Sequence, residues 1–434
     1  MLGINEKNLT VVLLAISLCL AGLTFPLSVY GKGSSSSGSS SSSSSSSEPT
    51  IRQFLSMSGT SSDGKESSAQ KKVINYDIEK NCAPSNRLAE KLNPISYLTY
   101  FNCGHVTIDK NGTTTRNFAL VVREDSKIPI TMGNNDTHTK PIVWNAWTFN
   151  GSIPAPTMRM TQGDHVFITV YNQGNLTHSL HMHSIHAGNI DGTMFSGPSG
   201  QILPGHSFTY NFTADPVGLW PFHCHMMPVS LHINKGLYGH MIIDPPADKA
   251  RPKMTEMNMI MDGFALNQQP GEDQPRIPTV QEAQQIMNGN DSVGLPEEFD
   301  NHIYALNGVA FYYDAHPIQL QTNTQYRIYL TNFLDFDFSN TFHLHGQVFQ
   351  YYPSGTSMSP METNDIVSLG QGDRGILEFQ YHLPGVYMIH SHFESQAGRG
   401  WEGLLDVTGP ASPADQKATD IKNSADDTKS NKGN

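Results

Sequence analysis

The sequence predicts an all-β protein made of two domains that share one fold. Short runs rich in β-branched and aromatic residues alternate with clusters of Gly, Pro, Asn and Asp, a pattern typical of strands joined by turns. Helical periodicity is nearly absent and is confined to residues 86–92 and 280–287. The clearest strand patterns lie at 166–171, 240–243, 326–331 and 375–380.

An internal repeat indicates the two domains. The first copy runs from Asn150-Gly151 through Asn172 to His181-Met182-His183 and, 40 residues later, His223-Cys224-His225. The second copy runs from Asn307-Gly308 through Asn332 to His343-Leu344-His345 and, 45 residues later, His390-Ser391-His392. Motifs repeated in one order indicate a duplicated domain. We therefore expect a first domain at 105–248 and a second domain at 249–409, with residues 267–298 as an insertion in the second.

The termini are expected to lie outside both domains. Residues 11–30 are almost wholly apolar, so residues 1–30 predict either a cleaved export signal or a retained membrane anchor. Residues 31–70 form a Ser-rich linker and 410–434 a polar tail, and we expect both to be disordered. Either function of residues 1–30 places the rest of the protein outside the cytoplasm, secreted or held at the outer face of the cell membrane.

Charge and cysteine content narrow the class of protein. The 434 residues carry a formal net charge of −12 and contain no basic block, which argues against a nucleic-acid partner. Of the four cysteines, Cys19 lies in the export segment and Cys224 lies within a histidine motif. Cys82 and Cys103 remain as a candidate disulfide in an N-terminal extension at 71–104, with two unpaired buried thiols as the alternative.

The histidines point to bound metal. A lone histidine is more often a surface or core residue, but four His-x-His units in matched contexts are hard to explain as packing. On a strand, residues i and i+2 share a face, so each unit presents two imidazoles side by side. Eight imidazoles suit a cluster of three copper ions. They are His181, His183, His223, His225, His343, His345, His390 and His392.

The same alternation predicts a second, mononuclear site. Cys224 lies between two histidines of one unit, so its sulfur must point to the opposite face. His178 precedes His181 by three residues and faces away from it in extended backbone, and His232 follows Cys224 beyond a turn that contains Pro228. One thiolate with two imidazoles is the donor set of a blue-copper centre. The second domain has Asn340, Ser391 and Arg399 where His178, Cys224 and His232 would repeat, so we expect no such centre there.

Together these motifs resemble the two-domain multicopper oxidases, small laccase-like enzymes related to copper nitrite reductases. The resemblance extends from about His105 to Val407 and implies cupredoxin-like Greek-key β-sandwich or barrel domains. It also implies four copper ions per chain: one type 1 ion at His178, Cys224 and His232, and a cluster of one type 2 and two type 3 ions at the eight imidazoles. We expect His181 and His343 to bind the type 2 ion. The matching segments are 150–157, 163–164, 178–183, 223–225, 232, 236–239, 343–345 and 390–392.

The resemblance further implies a reaction and an assembly. The type 1 copper would take single electrons from a reductant, and the cluster would reduce dioxygen to water. The reductant stays open among a phenol, a metal ion, a small nitrogen compound and an electron-carrier protein. Asp191 and Glu394 are candidates for proton delivery, with turn or surface roles as alternatives. Each domain carries half of the cluster ligands, and the resembling enzymes close their half-sites in a homotrimer.

The sequence departs from the family pattern at one position, and two alternative functions are considered beside the oxidase. Many blue sites have a weak axial methionine, whereas Leu237 lies five residues after His232 and would raise the copper potential. Nitrite reduction to nitric oxide is the main alternative, but its pattern has aspartate in the place of His181 and no histidine in the place of His225. A copper carrier without turnover would leave the four His-x-His units unexplained.

Overall fold

The computed structural model describes residues 82–83, 92–132, 140–266 and 301–411. The expectations for residues 1–70, for the helix at 280–287, for the insertion at 267–298 and for nearly all of the helix at 86–92 and the tail lie outside these ranges. Within the described ranges, no helix is both long enough and apolar enough to cross a membrane.

The all-β prediction is confirmed: three of the four strand patterns lie within observed strands, and the fourth, 375–380, extends one residue past the end of its strand at Phe379. The strands up to residue 244 are β1 (Cys82–Ala83), β2 (Phe101–Asn102), β3 (His105–Ile108), β4 (Thr114–Pro129), β5 (Val143–Phe149), β6 (Met158–Thr161), β7 (His165–Asn172), β8 (His181–Met182), β9 (Ser207–Thr213), β10 (Gly218–His223) and β11 (Tyr238–Asp244). They form one sheet in the order β1-β2-β6-β11-β10-β8 and a second in the order β3-β4-β7-β9, with β5 beside β4.

The strands after residue 254 repeat this arrangement. They are β12 (Thr255–Phe264), β13 (Ile303–Leu306), β14 (His316–Gln321), β15 (Tyr326–Asn332), β16 (Asn340–Leu344), β17 (Phe349–Pro353), β18 (Glu362–Asn364), β19 (Ile366–Leu369), β20 (Arg374–Phe379), β21 (Gly385–His390) and β22 (Glu402–Thr408). Their sheets have the orders β13-β12-β15-β20-β17-β18 and β14-β22-β21-β16-β19. The described helices are short: α1 (Pro94–Leu98), α2 (Val229–Asn234), α3 (Tyr312–Ala315) and α4 (Glu394–Ala397).

Alternation along the strands builds each core. In β7, Val166, Ile168 and Val170 are fully buried, while the residues between them are more exposed. Their side chains meet those of β4, β10 and β11 in an apolar cluster that also contains Cys224 and Leu237. A separate cluster fills the second domain. The candidate sulfur ligand thus lies in the core of the first domain.

The N-terminal extension contacts both domains. The predicted disulfide between Cys82 and Cys103 is confirmed. Between these cysteines, Asn93 caps α1 by accepting a hydrogen bond from the Ser96 amide. Tyr313 of the second domain donates a hydrogen bond to the Pro94 carbonyl (2.8 Å), and β2 pairs with β6 of the first domain. The extension therefore packs along the boundary between the domains.

A buried network of charges joins the two domains. Arg159 contacts Asp244 at 2.7 Å and Glu256 at 2.6 Å, and Glu256 also accepts a hydrogen bond from Arg327 at 3.0 Å. Burial alone would raise the pKa of Glu256, but the two guanidinium groups outweigh that effect and hold it at about 2. Because each cation has a carboxylate partner, the cost of removing these charges from water is offset.

We predict that Glu256→Gln destabilises the protein by about 3 kcal/mol, since it leaves Arg159 and Arg327 buried with one fewer negative charge. Chemical denaturation of the full chain measures this loss. Glu362→Gln, at an exposed position on β18, is the matched control and should change stability little. Equal effects of the two substitutions would show that the network does not hold the domains together.

Candidate metal centre

The structure brings the proposed mononuclear ligands together in the core of the first domain. Cys224 follows the end of β10, and its Sγ lies 3.2 Å from Nδ1 of His232 and 3.7 Å from Nδ1 of His178. The three candidate ligand atoms lie within 4.8 Å of one another, and all three residues are buried. The sulfur thus points away from the flanking histidines, as the alternation predicts. The short helix α2, which carries His232, was not predicted from the sequence.

Local contacts fix this group. The Ser179 amide donates a hydrogen bond to the Cys224 sulfur at 3.3 Å. The ring of Trp147 packs edge-on against the rings of His232 and His178, with centroid distances of 4.9 and 5.7 Å. Burial would raise the pKa of the Cys224 thiol, but His232 and His178 hold it well below its usual range. The residue is therefore suited to bind metal as a thiolate. Leu237 is fully buried in the same apolar cluster, and Met226 packs against that cluster.

Cross-strand pairing assembles one set of four imidazoles in the first domain. His181 on β8 lies directly opposite His223 on β10. His225 follows the end of β10, yet its ring stacks 5.5 Å from that of His223. Nε2 of His183 lies 3.3 Å from Nε2 of His223. Burial, with the neighbouring imidazoles, lowers the pKa of His183 to about 4 and that of His223 to about 3, so both rings are neutral and able to bind metal.

A second set in the second domain repeats this geometry. His343 on β16 lies opposite His390 on β21, and the His392 ring stacks 5.9 Å from that of His390. Nε2 of His345 lies 2.9 Å from Nε2 of His390. Within the part of the chain that the structure describes, every close pair of these eight rings lies within one set, and none joins the two sets.

Backbone carbonyls orient matching rings in both sets. Nδ1 of His181 contacts the Asp191 carbonyl at 2.7 Å, and Nδ1 of His343 contacts the Asp365 carbonyl at 2.9 Å. A carbonyl can only accept, so Nδ1 carries the proton and Nε2 is left free for metal. The carbonyls of the following residues hold Nδ1 of His223 at 2.9 Å and Nδ1 of His390 at 2.6 Å in the same way.

The two proton-delivery candidates have different surroundings. The Asp191 carboxylate lies 3.3 Å from Nδ1 of His181 and 3.7 Å from Nε2 of His186. Glu394 is exposed at the start of α4, and no hydrogen bond joins its side chain to a histidine within the described ranges. Asp365 is the structural counterpart of Asp191, with its carboxylate 3.8 Å from Nδ1 of His343. Asp365 was not predicted from the sequence, because it lies 20 residues beyond His345, between β18 and β19.

The second domain keeps the frame of the mononuclear site but not its donors. Amides of Leu237 and Trp401, at equivalent positions, bond to the carbonyls of His232 and Gln396. The counterpart of His232 is therefore Gln396. The sequence-based prediction that Arg399 takes this position is wrong, because the loop that follows Ser391 is shorter than the loop that follows Cys224. Ser391 donates a hydrogen bond to the Gln396 amide oxygen at 2.7 Å. A hydroxyl and an amide thus replace the thiolate and imidazole.

A β-sandwich core that holds a thiolate beside two imidazoles offers the donor set of a blue-copper protein. Comparison with known proteins narrows this class. Models of the multicopper oxidase family match residues 130–248 and 274–408. A solved structure described as a multicopper oxidase is 34% identical over 73% of this chain and 97% of its own, with a TM-score of 0.62. The chain belongs to the multicopper oxidase family, and membership implies bound copper and confirms the cupredoxin-like fold.

Nitrite reductases are also similar to this chain. The copper nitrite reductase of Nitrosomonas europaea is 25% identical over 69% of this chain and 96% of its own, with a TM-score of 0.54. The copper-containing nitrite reductase of a Neisseria meningitidis strain is 26% identical over 63% of this chain. That match covers 66% of the reductase, just under two thirds of its length. The family is therefore established, and the reaction has to be argued from the site.

We predict that Leu237→Met lowers the reduction potential of copper bound at the thiolate site, because it adds a soft axial donor. Redox titration of the visible absorption band measures the change. Met226→Leu is the matched control, since Met226 packs against the same cluster and should leave the potential unchanged. An effect of Met226→Leu without an effect of Leu237→Met would assign the axial position to Met226.

Proposed function

We propose that this chain oxidises a reductant one electron at a time and reduces dioxygen to water. The two matched sets of four imidazoles carry this proposal, because one isolated type 2 ion would need far fewer ligands. When bound, copper at the thiolate site would accept single electrons from the reductant, and that ion together with three copper ions among the eight imidazoles would supply the four electrons that, with four protons, reduce dioxygen to two water molecules. The full assignment is one type 1, one type 2 and two type 3 ions per chain.

The ligands of each ion follow from the two kinds of donor set. His178, Cys224 and His232 supply the soft thiolate and paired imidazoles that suit a type 1 copper. The eight remaining imidazoles suit the cluster. We assign His181 and His343, which occupy matching positions in the two sets, to the type 2 ion through Nε2; their Nδ1 atoms are tethered, as are those of His223 and His390. Leu237 is the proposed axial neighbour and is not a ligand.

The chain itself connects the two sites. Cys224 is bonded through the backbone to His223 and His225, and Nδ1 of His223 donates a hydrogen bond to the Cys224 carbonyl. This route from sulfur to the first imidazole set is only a few bonds long. Asp191, beside His181, is suited to hold a proton there, which supports its proposed part in proton delivery. Glu394 stays a prediction for the same role.

Nitrite reduction is the second candidate, because nitrite reductases match more of this chain than the laccase and ascorbate oxidase relatives do. His181 and His225 argue against it. The ring centroids of both lie within 5.5 Å of that of His223, as expected of ligands of one cluster. The reductase pattern has an aspartate in the place of His181 and a residue other than histidine in the place of His225. The disulfide between Cys82 and Cys103 supports the further proposal that the protein works outside the cytoplasm.

The separation of the imidazole sets supports a homotrimer. Each set presents four rings, and His392 is exposed while the His343 side chain is 16% exposed. If a first-domain set meets a second-domain set of a neighbouring chain, the interface is heterologous and must either close into a ring or polymerise. Three chains would form a closed ring of six similar domains that contains three complete clusters.

We predict four copper ions per chain and oxygen uptake with at least one reductant among a phenol, a cuprous salt, a small nitrogen compound and a reduced carrier protein. Metal analysis and an oxygen electrode measure these quantities, and a nitric oxide electrode tests the rival reaction with nitrite. Cys224→Ser is the control, and it should lose the blue absorption and the oxidase activity while it retains the cluster copper. Two copper ions per chain with sustained nitric oxide formation would overturn the proposal.

A mixing experiment tests the trimer. One variant carries His223→Ala and His225→Ala, and the other carries His390→Ala and His392→Ala, so each homotrimer lacks two of the eight imidazoles of every cluster. We expect both variants to be inactive alone and to regain oxygen reduction after they are dissociated and reassociated together, since intact halves then meet between chains. A copper-loaded, active monomer in sedimentation would contradict the trimer.

A further inference from the structure

The strand β4 places a carboxylate behind the mononuclear site. The pairing of β4 with β5 shifts register between Arg123 and Ser126, so Glu124 and Asp125 lie in a bulge. Glu124 continues the row of Leu120 and Val122, whose side chains are buried in the core of the first domain, so alternation along β4 directs it to the same face. Here Glu124 points to the buried edge of His178, while Asp125 is exposed.

The contacts of Glu124 are specific. Its Oε1 lies 2.8 Å from Nε2 of His178 and accepts a second hydrogen bond from the Leu176 amide at 2.7 Å. The carboxylate can only accept, so Nε2 of His178 carries the proton and its Nδ1, on the Cys224 side, is the free nitrogen. The His178 side chain is fully buried and that of Glu124 is 12% exposed.

The neighbouring backbone leaves room for this carboxylate. A Cβ added at Gly174 would overlap the carboxyl group of Glu124. The backbone angle of Gly174 is not one that only glycine adopts, so the missing side chain serves the close approach. The missing side chain of Gly174 therefore makes room for the carboxyl group of Glu124.

The second domain supplies an internal comparison. Val122 pairs with Asn172 in the first domain, and Met261 pairs with Asn332 at the equivalent place in the second. Two residues further along each strand, Glu124 corresponds to Gly263. The second domain has Asn340 and Ser391 in place of His178 and Cys224. The carboxylate is thus present in the domain that has an imidazole to orient and absent from the corresponding position in the other.

We propose that Glu124 is a positioning residue that fixes the ring of His178 and lowers the reduction potential of copper at the thiolate site. This inference rests on the proposed type 1 ligands. A carboxylate that accepts from a ligand imidazole holds its orientation and increases its basicity. A more basic imidazole, beside a fixed negative charge, stabilises the oxidised ion more than the reduced ion. Glu124 would therefore offset the rise in potential that Leu237 produces.

The test compares variants of the copper-loaded full-length protein by redox titration of the visible absorption band. Glu124→Gln keeps the size and an acceptor oxygen but removes the charge. We expect it to raise the ratio of reduced-ion to oxidised-ion affinity roughly tenfold, which corresponds to about 59 mV for one electron. Asp125→Asn removes the same charge from the exposed neighbour and should shift the potential much less.

Gly174→Ala separates geometry from charge and remains informative if Glu124→Gln does not load copper. It retains the carboxylate but displaces it from His178, so we expect a positive shift, with no further shift when it is combined with Glu124→Gln. Equal shifts in Glu124→Gln and Asp125→Asn, or an unchanged potential in Gly174→Ala, would overturn the inference. Wild-type protein without a blue band would instead refute the proposed ligand set, so the two failures are distinguishable.

Discussion

The alternating direction of side chains along His223, Cys224 and His225 is the constraint on which the arrangement depends. Neighbouring residues of an extended segment point to opposite faces. The sulfur therefore enters the apolar core of the first domain, while both imidazoles turn toward His181 and His183. Two sites of different donor chemistry are built within three residues, and a shift of register by one residue would exchange their faces.

Duplication supplies the second half of the imidazole frame. In both domains a cross-strand pair of histidines is held through Nδ1 by backbone carbonyls, which do not depend on any side chain being retained. The frame can therefore persist while other positions change. Ser391 and Gln396 illustrate this, because they keep a hydrogen bond where the first domain has a thiolate and an imidazole.

The strands, the histidine sets and the thiolate group were predictable because each depends on local alternation or on a short spacing. Glu124, Asp365 and Gln396 were not. Glu124 reaches His178 across 54 residues, and no local spacing in the sequence indicates a contact between segments so far apart. Asp365 acts first through its backbone carbonyl, which any residue possesses. The equivalence of Gln396 and His232 became visible only from the hydrogen bonds that close the two loops, since the loops differ in length.

Under the proposed function, the burial of the mononuclear site would affect how a reductant is selected. His178 and His232 are 0% and 3% exposed, and Trp147, which packs on both rings, is 4% exposed. A reductant at the surface of the chain therefore touches neither imidazole, and its electron must tunnel through intervening protein. Tunnelling depends on distance and on driving force far more than on the shape of the donor. With copper bound as proposed, such a centre would discriminate among reductants chiefly by their ease of oxidation, and one-electron products would form apart from the sulfur that they could damage.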